Sequence, residues 1–259
     1  MLEKTTTLTA VALAVVFGTA RADEWDVASV GDGGTATRNV LFHGSEQVHD
    51  LAAVGPLGDE DWYVVATRGF SSYQVVIDGM TGDLDLAPAD VQLLDTTGTA
   101  VQASALLGDF GGTLTLAWSN GSAPPAVRQF VRVRDAACGT ACTNPDRYRV
   151  RFYDTTYTIP RFNNSGTQAT VVTVQNATEQ ACDLTYAFLN GTGGLAALVQ
   201  HTVPARGLDV FATASAVPGQ SGSLRIAHTC GYGGLSGKAV SIEPSTGFTF
   251  DTQMIHRPH

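Results

Sequence analysis

Apolar and polar side chains alternate along most of the chain with a period of two, which is typical of half-buried β-strands. The alternating segments are short and rich in β-branched and aromatic residues, which favour strands. The clearest of them are Asp61–Ala66, Tyr73–Ile77, Val91–Leu94, Thr113–Trp118, Phe130–Arg134 and Tyr148–Phe152. Between them stand turn pairs in which Gly or Asn tolerates a positive φ: Asp78-Gly79, Thr97-Gly98 and Asn120-Gly121.

Helical patterns are missing from the sequence beyond its first residues. No amphipathic segment with the 3.6-residue period extends over about 12 residues there, and the Ala-rich stretch Leu195–Val199 is short and flanked by glycines. Strands that recur with turn signals at intervals of about 8 to 12 residues favour packed sheets. We therefore predict an all-β protein made of β-sandwich domains.

The charge density falls near Tyr157-Thr158-Ile159-Pro160. Arg128–Arg151 is comparatively basic and charged, whereas Gln168–Gln175 opens a series of polar, uncharged strands. Pro160 lacks a backbone donor and so ends strand pairing. We predict one domain over residues 23–157 and a second over residues 158–259, with a connector short enough for the two to touch.

The first 22 residues have the features of a secretory signal peptide. Lys4 precedes the apolar run Leu8–Phe17, which is too short to span a bilayer, and Ala20-Arg21-Ala22 predicts cleavage before Asp23. The alternative is a short N-terminal membrane anchor. We predict an exported protein, secreted or periplasmic, with no transmembrane span after cleavage and with the cell surface as one destination.

Composition and charge narrow the class of partner. The 259 residues include 44% hydrophobic ones, enough for packed cores, so a disordered chain is excluded. The 24 acidic residues outnumber the 15 basic ones, and the formal net charge is -9. Nucleic acid and anionic membranes attract basic surfaces, so neither is the expected partner.

Four cysteines fall in the predicted exported part: Cys138, Cys142, Cys182 and Cys230. An oxidising compartment favours disulfides, and four cysteines allow three pairings. The domain division favours Cys138 with Cys142 and Cys182 with Cys230. A zinc site is the alternative, although Cys182 and Cys230 each lack a close Cys or His at the spacing of a zinc finger.

Residues 40–155 resemble the bacterial pre-peptidase C-terminal domain. The resemblance rests on an acidic turn entering a D-W-Y strand at Gly58–Val65, a second strand at Gly69–Ile77, a D-L-D-L strand at Asp83–Leu86, and Val91–Gly98, which closes on an Asp-containing turn. Ala87-Pro88-Ala89-Asp90 interrupts what is one continuous strand in the family. The resemblance implies a jelly-roll-like sandwich that accompanies secreted enzymes, usually peptidases, without being catalytic. The second half is similar to tails of uncharacterised secreted bacterial proteins, and we expect an immunoglobulin-like or similar sandwich there.

Calcium is the one metal that the resemblance implies, because related sandwich modules of secreted collagenases bind it near the domain edge. The candidate ligands are Asp59, Asp61, Asp83 and Asp85, whose oxygens suit Ca²⁺. Their spacing does not fit an EF-hand loop. The alternative is that these carboxylates are ordinary solvated turn residues, and the sequence indicates no other cofactor.

Catalytic motifs are missing from the sequence. The six histidines include no H-E-x-x-H pair, and Gly231–Ala239 departs from the phosphate-binding loop that it superficially resembles. We predict no catalytic residue, although distant residues can still assemble a Ser-His-Asp site. Trp118 and Tyr232 are candidate binding aromatics, and core or rim packing is the alternative for each.

The leading functional hypothesis is a secreted, non-catalytic β-sandwich protein that acts as a binding or accessory module for an extracellular protein or polysaccharide. One alternative is a structural subunit of a surface layer or filament, because low charge and exposed strand edges permit self-association. The other alternative is a secreted hydrolase with a dispersed catalytic site.

Overall fold

The computed structural model describes residues 25, 31–52, 59–108, 111–121, 126–137, 141–142 and 146–257. The predicted signal peptide and its cleavage site lie outside this part of the chain. The described residues include nineteen strands and the two short 3-10 turns Pro88–Asp90 and Thr213–Ser215. The all-β prediction is confirmed. No helix in the described ranges is long and apolar enough to cross a membrane.

The described residues up to Asp154, which we call the first domain, form ten strands: β1 (Val40–Leu41), β2 (Glu46–Asp50), β3 (Glu60–Thr67), β4 (Ser71–Asp78), β5 (Val91–Leu94), β6 (Val101–Ser104), β7 (Leu106–Leu107), β8 (Leu114–Asn120), β9 (Val127–Arg134) and β10 (Arg147–Asp154). They form two five-stranded sheets, in the orders β1-β3-β9-β5-β6 and β2-β10-β4-β8-β7. Most consecutive strands alternate between the two sheets, which gives the interleaved strand order of a jelly roll.

The described residues from Tyr157 onward, which we call the second domain, form nine strands: β11 (Tyr157–Asn163), β12 (Ala169–Asn176), β13 (Cys182–Asn190), β14 (Leu195–Val203), β15 (Leu208–Ala212), β16 (Ser221–His228), β17 (Leu235–Glu243), β18 (Phe248–Gln253) and β19 (Ile255–His256). A five-stranded sheet, β14-β13-β16-β11-β19, faces a four-stranded sheet, β15-β12-β17-β18. The chain passes from the first pair of sheets to the second between Asp154 and Tyr157, and Tyr157 already packs in the second core.

Strand alternation produces the two cores. In β10, Tyr148, Val150 and Phe152 are buried in the first core, while the side chains between them point outward. In β12, Val172 and Val174 are fully buried in the second core. Because successive side chains of a strand point to opposite faces, each sheet presents an apolar face to its partner sheet, and the predicted sandwich architecture is confirmed.

The D-L-D-L segment is not a strand, which corrects the expectation drawn from the family resemblance. Asp83–Leu86 has no regular structure, and Pro88–Asp90 forms a 3-10 turn before β5 begins. Leu84 and Leu86 are nevertheless buried in the first core. The Ala87 N–H donates to Asp90 Oδ2 at 2.8 Å, so the chain turns here instead of extending.

A disulfide joins Cys182, at the start of β13, to Cys230, which follows β16. This pairing was predicted and is confirmed. The two strands are neighbours in their sheet, so the bond links two segments that are 48 residues apart in sequence. Cys142 is also disulfide-bonded, and Cys138, the remaining cysteine of the sequence, lies outside the described residues.

Candidate functional site

Three buried side chains converge inside the first domain: Asp32, His49 and Asp61. Each offers one potential ligand atom, and these three atoms all lie within 4.8 Å of one another. His49 Nδ1 is 3.6 Å from Asp32 Oδ2 and 3.7 Å from Asp61 Oδ1. The residues are at most 1% exposed. Charged side chains are rarely buried to this extent unless they are paired or bind a metal.

The jelly-roll topology brings these residues together from three parts of the chain. His49 lies on β2 and Asp61 on β3, so they belong to opposite sheets. Asp32 precedes β1, and its backbone carbonyl accepts a hydrogen bond from the Trp62 N–H at 2.8 Å. Because side chains alternate along β3, Asp61 and Tyr63 face the core between the sheets. Trp62 faces the other way and packs against Phe130.

Two tyrosines hold one side of the group. The Tyr148 hydroxyl donates to Asp61 Oδ2, and the Tyr63 and Tyr148 hydroxyl oxygens are 2.6 Å apart. Burial raises the pKa of Tyr148 well above its ordinary value, and the negative charge of Asp61 raises it further. Tyr148 therefore stays protonated and donates a hydrogen bond to Asp61, while its oxygen accepts a hydrogen bond from the Tyr63 hydroxyl.

Polar and aromatic neighbours orient the His49 ring. His49 Nε2 is 3.0 Å from Gln47 Oε1, and because an amide oxygen only accepts, Nε2 is the protonated nitrogen of that bond. The ring packs edge-on against Tyr63 and stacks with Tyr148 and Trp25, with centroid distances of 5.0, 5.9 and 5.5 Å. These contacts direct Nδ1 toward the two aspartates.

Of the four predicted calcium ligands, only Asp61 belongs to this group. Asp59 is half-buried, and Asp83 and Asp85 are exposed in the loop after β4. The Asp83 N–H donates to Asp146 Oδ1 at 2.8 Å, which places this loop beside the start of β10. Within the described ranges, no group of three or more close ligand atoms contains Asp59, Asp83 or Asp85. Calcium binding by the four aspartates stays a prediction.

Asp32 and His49 were not among the predicted ligands. Asp32 stands in a glycine-rich stretch and His49 in a short alternating segment. Neither position has a spacing that indicates a metal site, since the contact depends on how β2 and β3 lie across the sandwich.

The two candidate binding aromatics have different environments. Trp118 is buried in the first core, where its ring lies 5.4 Å from that of Tyr73 and 6.2 Å from that of Phe152. Tyr232 is 42% exposed and follows β16 at the junction between the domains. Its ring stacks on Tyr153 of β10, with centroids 4.4 Å apart. Trp118 therefore packs as a core residue, whereas Tyr232 keeps a solvent-facing edge.

The junction around Tyr232 combines rings from both domains. His43 of the first domain contacts Tyr153 and Tyr232, and His256 of the second contacts Tyr232 and Tyr157. The Tyr232 N–H donates to Gln74 Oε1 at 2.6 Å. Aromatic stacking and this hydrogen bond hold the β16–β17 turn against the first domain.

Buried polar contacts continue across the junction. The Arg257 guanidinium donates to Asp154 and to Ser71. His228 Nε2 donates to the Thr155 carbonyl at 2.7 Å. Burial lowers the pKa of His228 to about 4, so its imidazole is neutral at neutral pH.

One histidine accessible to solvent is hydrogen-bonded to a carboxylate. His201 Nδ1 lies 2.7 Å from Asp209 Oδ2, an atom that also accepts the Tyr186 hydroxyl at 2.7 Å. A Ser-His-Asp site needs a nucleophilic hydroxyl bonded to the other ring nitrogen. Among the residues described, no Ser or Thr hydroxyl makes a hydrogen bond to His201, so the histidine and its orienting carboxylate are present without the nucleophile that such a site needs.

No protein-family model matches the chain, and no curated protein matches it. Among solved structures, it is similar to the full extracellular region of zebrafish Gpr126/Adgrg6, with 12% identity, 82% of this chain and 30% of that chain covered, and a TM-score of 0.24. It is also similar to a glycosyl hydrolase family 2 member from Bacteroides cellulosilyticus DSM 14838, with 11% identity, 76% and 28% covered, and a TM-score of 0.20. The chain spans less than a third of either protein. Likeness this low carries no argument about function, and the resemblance to the pre-peptidase C-terminal domain stays a prediction.

Proposed function

We propose that the protein is a secreted, non-catalytic binding module that docks to another extracellular protein through the second domain. The observation that carries the proposal is an aliphatic surface on the outside of the sheet β15-β12-β17-β18. We call this surface the outer face and define it by Val171, Leu208, Val210, Val240 and Ile242. Leu208 and Val210 are 60% and 57% exposed, so the surface is open to a partner.

Strand register places these side chains together on one face. Val171 lies directly opposite Val240, Thr173 lies opposite Val210, and Gln175 lies opposite Leu208. Their neighbours Val172 and Val174 point the other way and fill the core. Aliphatic side chains on a sheet surface suit a protein partner better than a polysaccharide, because sugars are bound by stacking on aromatic rings.

Two features support a role outside the cytoplasm. The Cys182–Cys230 disulfide is typical of proteins that fold in oxidising compartments, and the sequence predicts a signal peptide before Asp23. The buried position of Asp32, His49 and Asp61 supports a non-catalytic role, because a macromolecular substrate cannot reach side chains that are at most 1% exposed.

Site-specific photo-crosslinking tests the proposal in the organism that exports the protein. A photoreactive residue at Val210 should form an adduct with a different extracellular protein. The matched control is a photoreactive residue at Gln102, which is exposed on β6 of the first domain. Adducts at Val210 no more abundant than those at Gln102 would contradict docking through the outer face. In a second experiment the photoreactive residue replaces Leu208. Adding the substitution Val210→Lys to that protein should abolish the adduct without changing the melting temperature.

A second candidate, a structural subunit that self-associates, is favoured by strand β14. It is the edge strand of the sheet β14-β13-β16-β11-β19, and Leu195–Val203 contains no charged residue other than a titratable histidine and no proline. Natural edge strands are protected by charges or proline because an open edge pairs with other strands. Light scattering, which measures the mass of the particles in solution, distinguishes the two candidates. Self-association through β14 would be supported if the wild type forms assemblies, Leu198→Lys is monomeric and Gln102→Lys still assembles.

A further inference from the structure

We propose that Asp32, His49 and Asp61 bind one divalent transition metal ion of the zinc class, which links the two sheets of the first domain. The inference goes beyond the proposed docking function, since it concerns a structural ion and does not depend on the outer face. Its ligand set is one imidazole nitrogen and two carboxylate oxygens, from β2, β3 and the segment before β1.

The atom spacing fits ligands arranged around an ion better than a direct hydrogen bond. Two ligand atoms that each lie about 2.1 Å from a tetrahedral metal ion are roughly 3.4 Å apart. His49 Nδ1 lies 3.6 Å and 3.7 Å from the two carboxylate oxygens. An imidazolium hydrogen bond to a carboxylate has a nitrogen–oxygen distance of about 2.7 to 2.9 Å. The observed separations are therefore close to the tetrahedral value.

The hydrogen bonds around the group prepare its inner atoms to receive a cation. Because the Gln47 amide oxygen only accepts, His49 Nε2 donates to it; in the neutral form of the ring the lone pair is then on Nδ1, the nitrogen that faces the two carboxylates. An outer hydrogen bond of this kind is the usual way in which a ligating histidine is oriented. Tyr148 holds Asp61 Oδ2, whereas Asp61 Oδ1 is buried and makes no hydrogen bond within the described part of the chain. That oxygen points toward His49 Nδ1.

The ligand types select the class of ion. An imidazole ligand suits zinc and other first-row transition metals, whereas calcium takes six to eight oxygen ligands and magnesium keeps several waters. Three protein ligands from separate segments would fix the position of β2 relative to β3. Because the group is buried, an ion there would act on the stability of the first domain and not on a substrate.

Metal binding is tested on the untagged mature protein, stripped with a chelator and dialysed. Elemental analysis after addition of ZnCl₂ and gel filtration should find one zinc per chain. The melting temperature should rise by about 5 to 10 °C at a free Zn²⁺ concentration roughly 100-fold above Kd. CaCl₂ and MgCl₂ should each give a much smaller shift at the same concentration.

Matched variants locate the ion. Asp61→Asn and His49→Gln should lose both the bound zinc and the thermal shift. Asp85→Asn removes an exposed carboxylate, and His201→Gln removes a histidine that pairs with Asp209, so both should keep them. A wild-type protein that retains no zinc and shows no thermal shift would overturn the proposal. Retention of zinc by both Asp61→Asn and His49→Gln would also overturn it.

A spectroscopic measurement keeps the test decisive if the ligand variants do not fold. Wild-type protein loaded with Co²⁺ should show the intense visible absorption bands of a four-coordinate site, and X-ray absorption of the zinc form should show a single imidazole in the first shell. A first shell with no imidazole, or with two or more, would exclude the site formed by Asp32, His49 and Asp61.

Discussion

Arg257 and Asp154 form a buried ion pair between the two domains. Arg257 directly follows β19, and Asp154 is the last residue of β10. Their side chains are 7% and 6% exposed. Arg257 also donates to Ser71 on β4, and its backbone N–H donates to the Thr156 carbonyl at 2.9 Å. One arginine of the second domain therefore contacts two strands of the first domain and the connector.

Removing Arg257 should destabilise the protein strongly. Arg257→Gln leaves the buried Asp154 carboxylate without its cation, and breaking a buried pair in this way costs about 3 to 5 kcal/mol. Urea unfolding followed by circular dichroism measures the change. Arg206→Gln is the control, because Arg206 pairs with Glu179 on the surface, where both side chains are mostly exposed, and should change the free energy of unfolding by less than about 1 kcal/mol. Equal effects of the two variants would contradict a structural role for the junction pair.

Acid should destabilise the junction through His228. Burial lowers the pKa of His228 in the folded state to about 4, below its ordinary value of 6.5. The neutral form is favoured by folding, so its contribution is fully present above pH 6.5 and is lost progressively as the pH falls toward 4, by up to about 3 kcal/mol.

The variant His228→Gln separates the contribution of His228 to the pH dependence of stability from the contributions of its neighbours. Burial and the charge of His43 also lower the pKa of His256, while Asp154 raises it, so the wild-type curve contains more than one group. His228→Gln keeps a donor for the Thr155 carbonyl and removes the titrating ring. The difference in unfolding free energy between variant and wild type should change between pH 6.5 and pH 4, and a difference independent of pH would refute the assignment.

The Cys182–Cys230 disulfide should contribute about 4 kcal/mol. The cross-link closes a loop across a sequence separation of 48, and the stabilisation expected from restricting the unfolded chain grows with loop length. The double variant Cys182→Ala, Cys230→Ala should therefore melt well below the wild type. The double variant Cys138→Ala, Cys142→Ala should lower the melting temperature less, because those cysteines are close in sequence. A larger decrease for this variant than for Cys182→Ala, Cys230→Ala would contradict the prediction.

Gly222 should not tolerate a side chain. It lies on β16 between Phe162 of β11 and Asn190 of β13, and a Cβ at this position would be 1.9 Å from the Leu189 carbonyl oxygen. The clashing atoms belong to the β13 backbone at Leu189 and Asn190, which cannot move away without breaking sheet hydrogen bonds, so Gly222→Ala should destabilise by more than about 2 kcal/mol. Gly191→Ala is the control, since a Cβ there meets nothing within 4 Å; differential scanning calorimetry should find it within a degree or two of the wild type.

Alternation in the sequence was sufficient to predict most strands of the first domain. Val91–Leu94 was predicted and is β5, and Tyr148–Phe152 forms the centre of β10. In β10 one face is buried by the partner sheet and the other is partly exposed, so its alternation can be seen in the local sequence. All four residues of β5 are buried, and it is recognisable as a short, largely apolar segment. Asp83–Leu86 was not predictable in the same way, because its leucines reach the core from a loop.

The residues of the candidate site were much harder to predict from the sequence than the strands. In the sequence, Asp61 groups with Asp59, Asp83 and Asp85, which are its neighbours along the chain or in the family pattern. The structure places Asp61 beside Asp32 and His49, because β2 and β3 lie in opposite sheets. A single sequence contains no record of which strands face each other across a sandwich, and the ligand set depends on that arrangement.

The junction has a practical consequence for how the protein can be divided. A cut between Asp154 and Tyr157 would separate the two pairs of sheets, yet it would remove the Tyr153 ring on which Tyr232 stacks and would leave Arg257 and Asp154 without each other. Each half would then lose contacts at the junction that its own hydrophobic core cannot replace. We expect the intact chain to unfold in a single transition, so that the number of sandwiches exceeds the number of cooperative folding units.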